Sequence, residues 1–412
     1  MTTPPDPVPP PVSPGRGDEQ RVALHSPEFA ADPHRAYQEM RERYGALVPV
    51  ELAPGVPATL VLGYRAALRI LNDPDRFPAD PRTWEKTVPA DCPVLPVLQW
   101  RPNAPRSSGA AHARYRGATT AALAGVDLHA LRGTVERFAV PLINSFCSSG
   151  SADLVGQYAF PLTFEVINAV LGCPPEISER AAAATAAIFD GVDSEKGNQM
   201  FGEAVQELVA SKSTEPGDDV TTRLLRHAAG LDETEMTHQV VALYGVGMGP
   251  MQSLIINTLC LILTDDRFAD EMLGGVLPTR DALDDVLFDD PPLPNASVTY
   301  PRQPVLIDDV WLPAHQPVVI SLAGCNNDPE IRAGDHSGNR SHLAWGAGPH
   351  ACPAQDTAYL IAQEAIDQLL DALPDLRLAV PVQDLTWRPG PLHRTLAELP
   401  VAFPPTPPLP IL

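Results

Sequence analysis

The most continuous apolar pattern lies in the middle of the chain, where residues 239–264 carry no formal charge. That run is long enough to cross a bilayer. It nevertheless contains Gln239, Gln252, Ser253, Asn257, Thr258 and Pro250, with glycines at 245, 247 and 249, and it has no basic flank and no second segment like it. The pattern predicts a helix buried on most sides at the centre of a soluble protein, without membrane insertion. Its portion 245–250 is expected to be irregular, because glycine weakens a helix and proline removes a hydrogen bond. Elsewhere, apolar spacing near 3.6 predicts helices over 33–44, 112–123, 131–147, 178–190, 219–229 and 356–373. Short runs at 59–62, 304–307 and 318–321 predict strands. The expected class is mainly α with a small β portion, an α+β arrangement.

Composition narrows the functions. The 412 residues are 44% hydrophobic, enough to bury a large core. Lys and Arg number 29 against 51 Asp and Glu, a net −22 that argues against nucleic-acid backbones and anionic membranes. The six cysteines (92, 147, 173, 260, 325 and 352) form no C-x-x-C, which suits a reducing, cytoplasmic compartment. Proline is in excess at 47 residues, and seven of these fall in the first sixteen positions. Residues 1–20 are therefore expected to be a disordered tail, with 21–412 forming one domain.

The stretch Trp345-Gly-Ala-Gly-Pro-His-Ala-Cys352-Pro-Ala354 carries the most chemistry. Glycines at 346 and 348 permit a tight turn with positive φ and close approach of backbone to a flat partner. Cys352 precedes a helix, whose N–H groups and dipole favour a thiolate. Such a thiolate shielded by an aromatic ring suits an axial iron ligand, and a buried inert cysteine in a glycine turn is the competing reading. A P-loop fails because no Gly-Lys-Ser/Thr follows. Zinc fails because His350 and Cys352 lack a second ligand pair.

This segment resembles the haem-binding loop of the cytochromes P-450, F-G-x-G-x-H-x-C-x-G, with Trp345 for Phe and Ala354 for the last Gly. Other similarities follow in order: Asp32-Pro33 with Tyr37, Leu60-Val-Leu-Gly-Tyr64, Arg76-Phe77, His112-x-x-x-Arg116, Pro216-Gly-Asp-Asp219, Leu312-Pro-Ala, Asn326-Asn-Asp-Pro329 and Trp387-Arg388. The resemblance implies the triangular, helix-rich cytochrome P-450 domain with short β-sheets and a haem b (iron protoporphyrin IX) cofactor. It makes Cys352 the iron's axial ligand and assigns His112, Arg116 and His350 to the propionates, with Arg302 as a further contact and Trp345 over the sulfur. Substrate-lining candidates are Tyr244, Val246, Gly249 and Pro250, then Asn295 and Ala296, with parts of 92–100 and 189–201.

Three departures from the family pattern stand out. The E-x-x-R pair falls on Asp285-Val-Leu-Phe288, so its ion pair is absent or rebuilt, with Arg332 or Arg340 as candidate partners. The acid–Thr pair that handles protons in the central helix falls on Gly249 and Pro250, neither of which has a donor side chain. Proton supply by water or substrate, or use of peroxide, replaces it. Third, residues 356–373 carry no Lys or Arg, so docking of an acidic ferredoxin, fed by ferredoxin reductase, is expected to be weak or unusual. The resemblance therefore implies a monooxygenase acting on a hydrophobic small molecule. The alternative is a haem-binding relative with little turnover, acting as a sensor or as a protein partner in a signalling or biosynthetic complex.

Overall fold

The computed structural model describes residues 21–190, 194–265, 267–268, 279–331 and 340–410. The proposed tail, residues 1–20, lies outside them, as does Arg332. In chain order the main helices are α1 (Pro33–Tyr44), α2 (Tyr64–Leu71), α3 (Gly109–Ala124), α4 (Leu128–Phe146), α5 (Phe160–Leu171) and α6 (Pro175–Asp190). They continue with α7 (Ser194–Thr214), α8 (Val220–Arg226), α9 (Glu233–Thr264), α10 (Thr279–Asp289) and α11 (Gln355–Ala372). Helix dominates, as the apolar spacing predicts.

Strands β1 (Val22–Ala23), β2 (Leu47–Ala53), β3 (Val56–Val61), β4 (Ser151–Asp153) and β5 (Ser297–Thr299) precede β6 (Val305–Ile307), β7 (Val310–Leu312), β8 (Val318–Ile320), β9 (Arg377–Leu378) and β10 (Pro400–Ala402). One sheet runs β1-β2-β3-β8-β5, in which β3 pairs parallel with β8 through Leu60 opposite Val319. The early strands thus share a sheet with β5 and β8 from far later in the chain, and α1 packs on it through Tyr37 and Met40. β4, β10 and β9 form a second sheet, and β6 pairs with β7.

The larger core gathers Ile143 of α4, Leu162 of α5, Ile255 and Leu259 of α9, Leu283 of α10 and Ile366 of α11. α9 opens with a capping box: Glu235 N–H donates to Asp232 Oδ1 at 2.9 Å, and Asp232 N–H donates to Glu235 Oε2 at 3.0 Å. It is long and apolar enough to cross a membrane, but 61% of its most apolar stretch is buried inside the protein.

The irregular stretch expected at 245–250 is not found; α9 is helical from Glu233 through Pro250 to Thr264. Three glycines at about 1 kcal/mol each and one proline at about 3 kcal/mol oppose this helix. Burial of Leu254, Ile255, Ile256 and Leu259, at about 1.5–3 kcal/mol each, outweighs that cost. Pro250 has no N–H, so the Val246 carbonyl loses its helical donor while the helix continues.

Candidate functional site

The turn before α11 is built on its glycines. Gly346 and Gly348 have φ of +69° and +66°, and a Cβ at 348 would collide with the Leu71 carbonyl of α2. The turn closes when Cys352 N–H donates to the Trp345 carbonyl at 2.7 Å. Trp345 is itself half-buried and packs against the main core. Cys352 is half-buried, and its sulfur accepts the Ala354 N–H at 3.4 Å. Burial pushes the thiol pKa up, while the Ala354 N–H and Arg116 pull it back. A metal cation on the sulfur would remove the proton outright.

Beside this turn lies an unbalanced cluster of positive and potentially positive groups. His112, on the buried face of α3, stands with its ring 4.0 Å from that of His350, the two planes tilted by 37°. His112 Nε2 is buried with no hydrogen-bond partner. Burial, then Arg116, lowers the His112 pKa; burial, then His112, Arg116 and Arg106, pushes that of His350 down to about 3. Arg116 donates to the Ala351 carbonyl, and Arg106 to the Val97 carbonyl at 2.8 Å. Burial lowers both guanidinium pKa values, and neither group forms an ion pair with a carboxylate among the described residues. Two guanidiniums and two imidazoles facing one another without a counter-ion fit a group that brings its own carboxylates.

Arg302 does not join this cluster. It is exposed, its charge bears on neither imidazole, and it acts, after Arg82, on the carboxyl of Asp80. The sheet instead contributes Tyr300, buried beside Arg106, with a hydroxyl that has no partner. Arg106 and Tyr300 escape sequence reading because the loop before α3 and the end of β5 carry no periodic signal that fixes which side chain turns inward.

A cavity of about 1380 Å³ lies against α9. Of the residues expected to line it, Val246, Gly249, Pro250 and Ala296 do, as do Pro96, Val97, Gln99 and Phe201. Val246 is 55% exposed, and a side chain at 249 would meet nothing within 4 Å, so the cavity opens at this turn. Tyr244 and Asn295 do not line it. The Tyr244 hydroxyl donates to Asn168 Oδ1 at 2.5 Å inside the core, and Asn295 accepts from the Tyr37 hydroxyl at 3.1 Å. Both are packing residues, turned inward by these bonds. Phe189 lies where side chains are not described. One turn beyond Pro250, the hydroxyls of Ser253 and Thr395 lie 2.7 Å apart on the cavity wall.

Comparison with known proteins places this arrangement. No protein-family model matches the chain. Cytochrome P450 107B1 of Saccharopolyspora erythraea is 29% identical over 391 residues, spanning 90% of this chain and 95% of its own. The cytochrome P450 monooxygenase PikC of Streptomyces venezuelae is 27% identical over 390 residues, spanning 91% and 92%. Among solved structures, CYP154C4 from Streptomyces sp. W2061 superposes with a TM-score of 0.83 at 25% identity, covering 93% of this chain and 98% of its own. These relatives and neighbouring structures support a bacterial member of the cytochrome P450 superfamily.

In this chain the region of the missing E-x-x-R pair is rebuilt. Asp284, one residue before the expected carboxylate, accepts from Arg340 Nε and from the Tyr359 hydroxyl, each at 2.8 Å. Asp285 turns the other way, to Arg267 at 3.1 Å. Phe288 is buried and meets the His342 ring edge-on at 5.6 Å. Asn326, fully buried, donates to the Leu287 and Phe288 carbonyls at 3.2 and 3.0 Å and accepts Leu343 N–H at 2.7 Å. The end of α10 is thus tied to the strand of chain entering the cysteine turn. Tyr359 of α11 serves this brace.

Proposed function

We propose that this chain is a haem-thiolate monooxygenase that hydroxylates a hydrophobic small molecule bound in the cavity over α9. Haem b is the proposed cofactor. Cys352 would ligate its iron, and His112, Arg116 and His350, joined by Arg106 and Tyr300, would hold its propionates. The observation that carries the reading is the pair of guanidiniums without counter-charge, facing two imidazoles, beside a cysteine whose sulfur accepts a backbone N–H. Thiolate-bound haem supplies oxygen activation and insertion of one oxygen atom into the substrate.

The chain's own residues hold and orient the substrate and the proton source, without donating the proton themselves. Gly249 and Pro250 give the cavity space and a carbonyl, Val246 O, that accepts but cannot donate. A substrate hydroxyl or a water held at that carbonyl is the proposed proton source, and peroxide is the oxidant that bypasses it. The mostly apolar wall selects an apolar substrate body. A ferredoxin with its reductase is the proposed electron donor, the cytoplasm the proposed compartment, and residues 21–412 one domain behind a proline-rich tail.

Turnover of a substrate panel with reductase and ferredoxin, set beside peroxide alone, tests this. Hydroxylated product with either oxidant is expected. No product with either would favour the second reading, a haem-binding relative serving as sensor or protein partner, which the donor-free Gly249-Pro250 and the α11 face without Lys or Arg favour.

A further inference from the structure

The charge of the cavity wall runs against that of the chain. The molecule carries −22, yet the end of the cavity by Ser253 presents Arg388 and His393. Both sit on the hairpin 387–396, which is pinned by Arg388 N–H donating to the Thr395 carbonyl at 2.9 Å and by a bridge between Trp387 and Leu396. Arg394, the neighbour of His393, turns inward instead: it bonds Asp290 at 3.3 Å and lies 3.4 Å over the Trp387 ring. Arg388 has no carboxylate within ion-pair reach among the described residues, and the charge that bears on His393 is that of Arg388. Beside them stand the paired hydroxyls of Ser253 and Thr395, with Leu392 and Leu293 as apolar neighbours.

The acids of the same cavity do not neutralise this end. Glu233 lies in the first turn of α9, twenty residues before Ser253, which is about 30 Å along a helix. Glu195 lies on α7, exposed. The opposite end holds Arg101 with His238 near Glu233, so it is mixed in sign, whereas the Ser253 end is cationic. A guanidinium left without a partner beside an imidazole and two hydroxyls, all facing a cavity, is a built receptor for an anion. The chain's net negative charge repels anions at long range, but salt screens that field beyond about 8 Å. Contact recognition then decides.

We propose, building on the monooxygenase reading, that the cavity selects a hydrophobic substrate bearing a carboxylate, held by Arg388 with the Ser253–Thr395 hydroxyls and His393 beside it. The anchored carboxylate fixes one end of the substrate, so the apolar body is oriented along α9 past Gly249.

The test is equilibrium binding to the full-length protein. Dodecanoate and biphenylacetate are each compared with their methyl esters by calorimetry, in wild type, Arg388→Gln and Arg388→Lys. Acids are expected to bind about tenfold tighter than their esters in wild type, as one charge-assisted contact supplies. Arg388→Gln should abolish that preference with ester affinity unchanged, and Arg388→Lys should keep part of it. Unchanged ester binding shows that the variants keep their fold. An acid that binds no tighter than its ester, or a preference that survives Arg388→Gln, overturns the proposal. A reduced carbon monoxide spectrum of the same samples reports the haem-thiolate separately, so failure of the carboxylate reading and failure of the haem reading are told apart.

Discussion

Gly348 shows how much a single residue can determine. Its positive φ and its contact with the Leu71 carbonyl both exclude a side chain, so Gly348→Ala strains the backbone and pushes the cysteine turn off α2. A loss of about 1–3 kcal/mol in denaturant stability is expected, together with weaker haem retention. Tyr300 gives a two-sided expectation. Its buried hydroxyl has no partner in the protein, so Tyr300→Phe should leave the apo-protein as stable or up to about 1 kcal/mol more stable. The same change should speed haem loss, measured by transfer to a scavenging globin; unchanged haem loss would remove Tyr300 from the propionate set. At this scale the sequence was legible where chemistry is local. Cys352, His350, His112 and Arg116, singled out by short motifs and the family resemblance, come together around one turn. Arg302 lies outside the cluster because β5 ends at Thr299, and beyond the strand end no period fixes which of Tyr300 and Arg302 turns inward.

At the level of elements, the brace around α10 shows that one function can be rebuilt from different parts. Returning the family's cation, Phe288→Arg, should not restore an ion pair, since Asp285 is engaged by Arg267 and the site is packed against His342. It should destabilise by about 3–5 kcal/mol, as a buried unpaired charge does; a neutral or stabilising result in urea would show that Asp285 swings back. Asn326→Ala removes three hydrogen bonds to buried backbone groups and should cost roughly 2–4 kcal/mol. The sequence indicated that the pair was missing and named Arg340, but the acid it meets is Asp284, because the helix turn carries 284 and 285 to different sides. The continuity of α9 through Pro250 was illegible for a related reason: local propensity argued for a break, and burial by neighbours distant in sequence overrode it.

The whole molecule adds long-range charge. His34 of α1 bonds Asp290 at 3.0 Å and joins the start of the chain to the end of α10 and to Arg394. The Asp290 hydrogen bond raises the His34 pKa above 6.5, whereas burial pushes the Asp290 carboxyl up but is outweighed by His34 and Arg394, which hold it down. The histidine's contribution is full below pH 6.5 and is lost as pH rises through its raised folded value; the aspartate's is present above pH 3.8 and is lost on acidification below that. Wild type should therefore lose stability relative to His34→Gln as pH rises above 6.5, in paired urea titrations. On the α11 side, Arg132 is already bound to Glu364 at 3.2 Å and Arg340 to Asp284. With cations engaged and the chain at −22, an acidic ferredoxin meets repulsion, so its association should quicken as ionic strength rises from about 0.05 to about 0.3 M. A rate that falls with salt would show an attractive face instead. The helix-rich class was legible from apolar spacing along the sequence, whereas the cavity's charge pattern was not, since it joins side chains from α9 and the 387–396 hairpin.

The central claim is that Cys352 carries haem iron as a thiolate in spite of the rebuilt brace. The absorption spectrum of the purified protein, reduced with dithionite under carbon monoxide and recorded beside Cys352→Ala, tests it most directly. A strongly red-shifted Soret band in wild type, absent from the variant, is the predicted result. No bound haem, or a band of the kind given by a neutral proximal ligand, would contradict it.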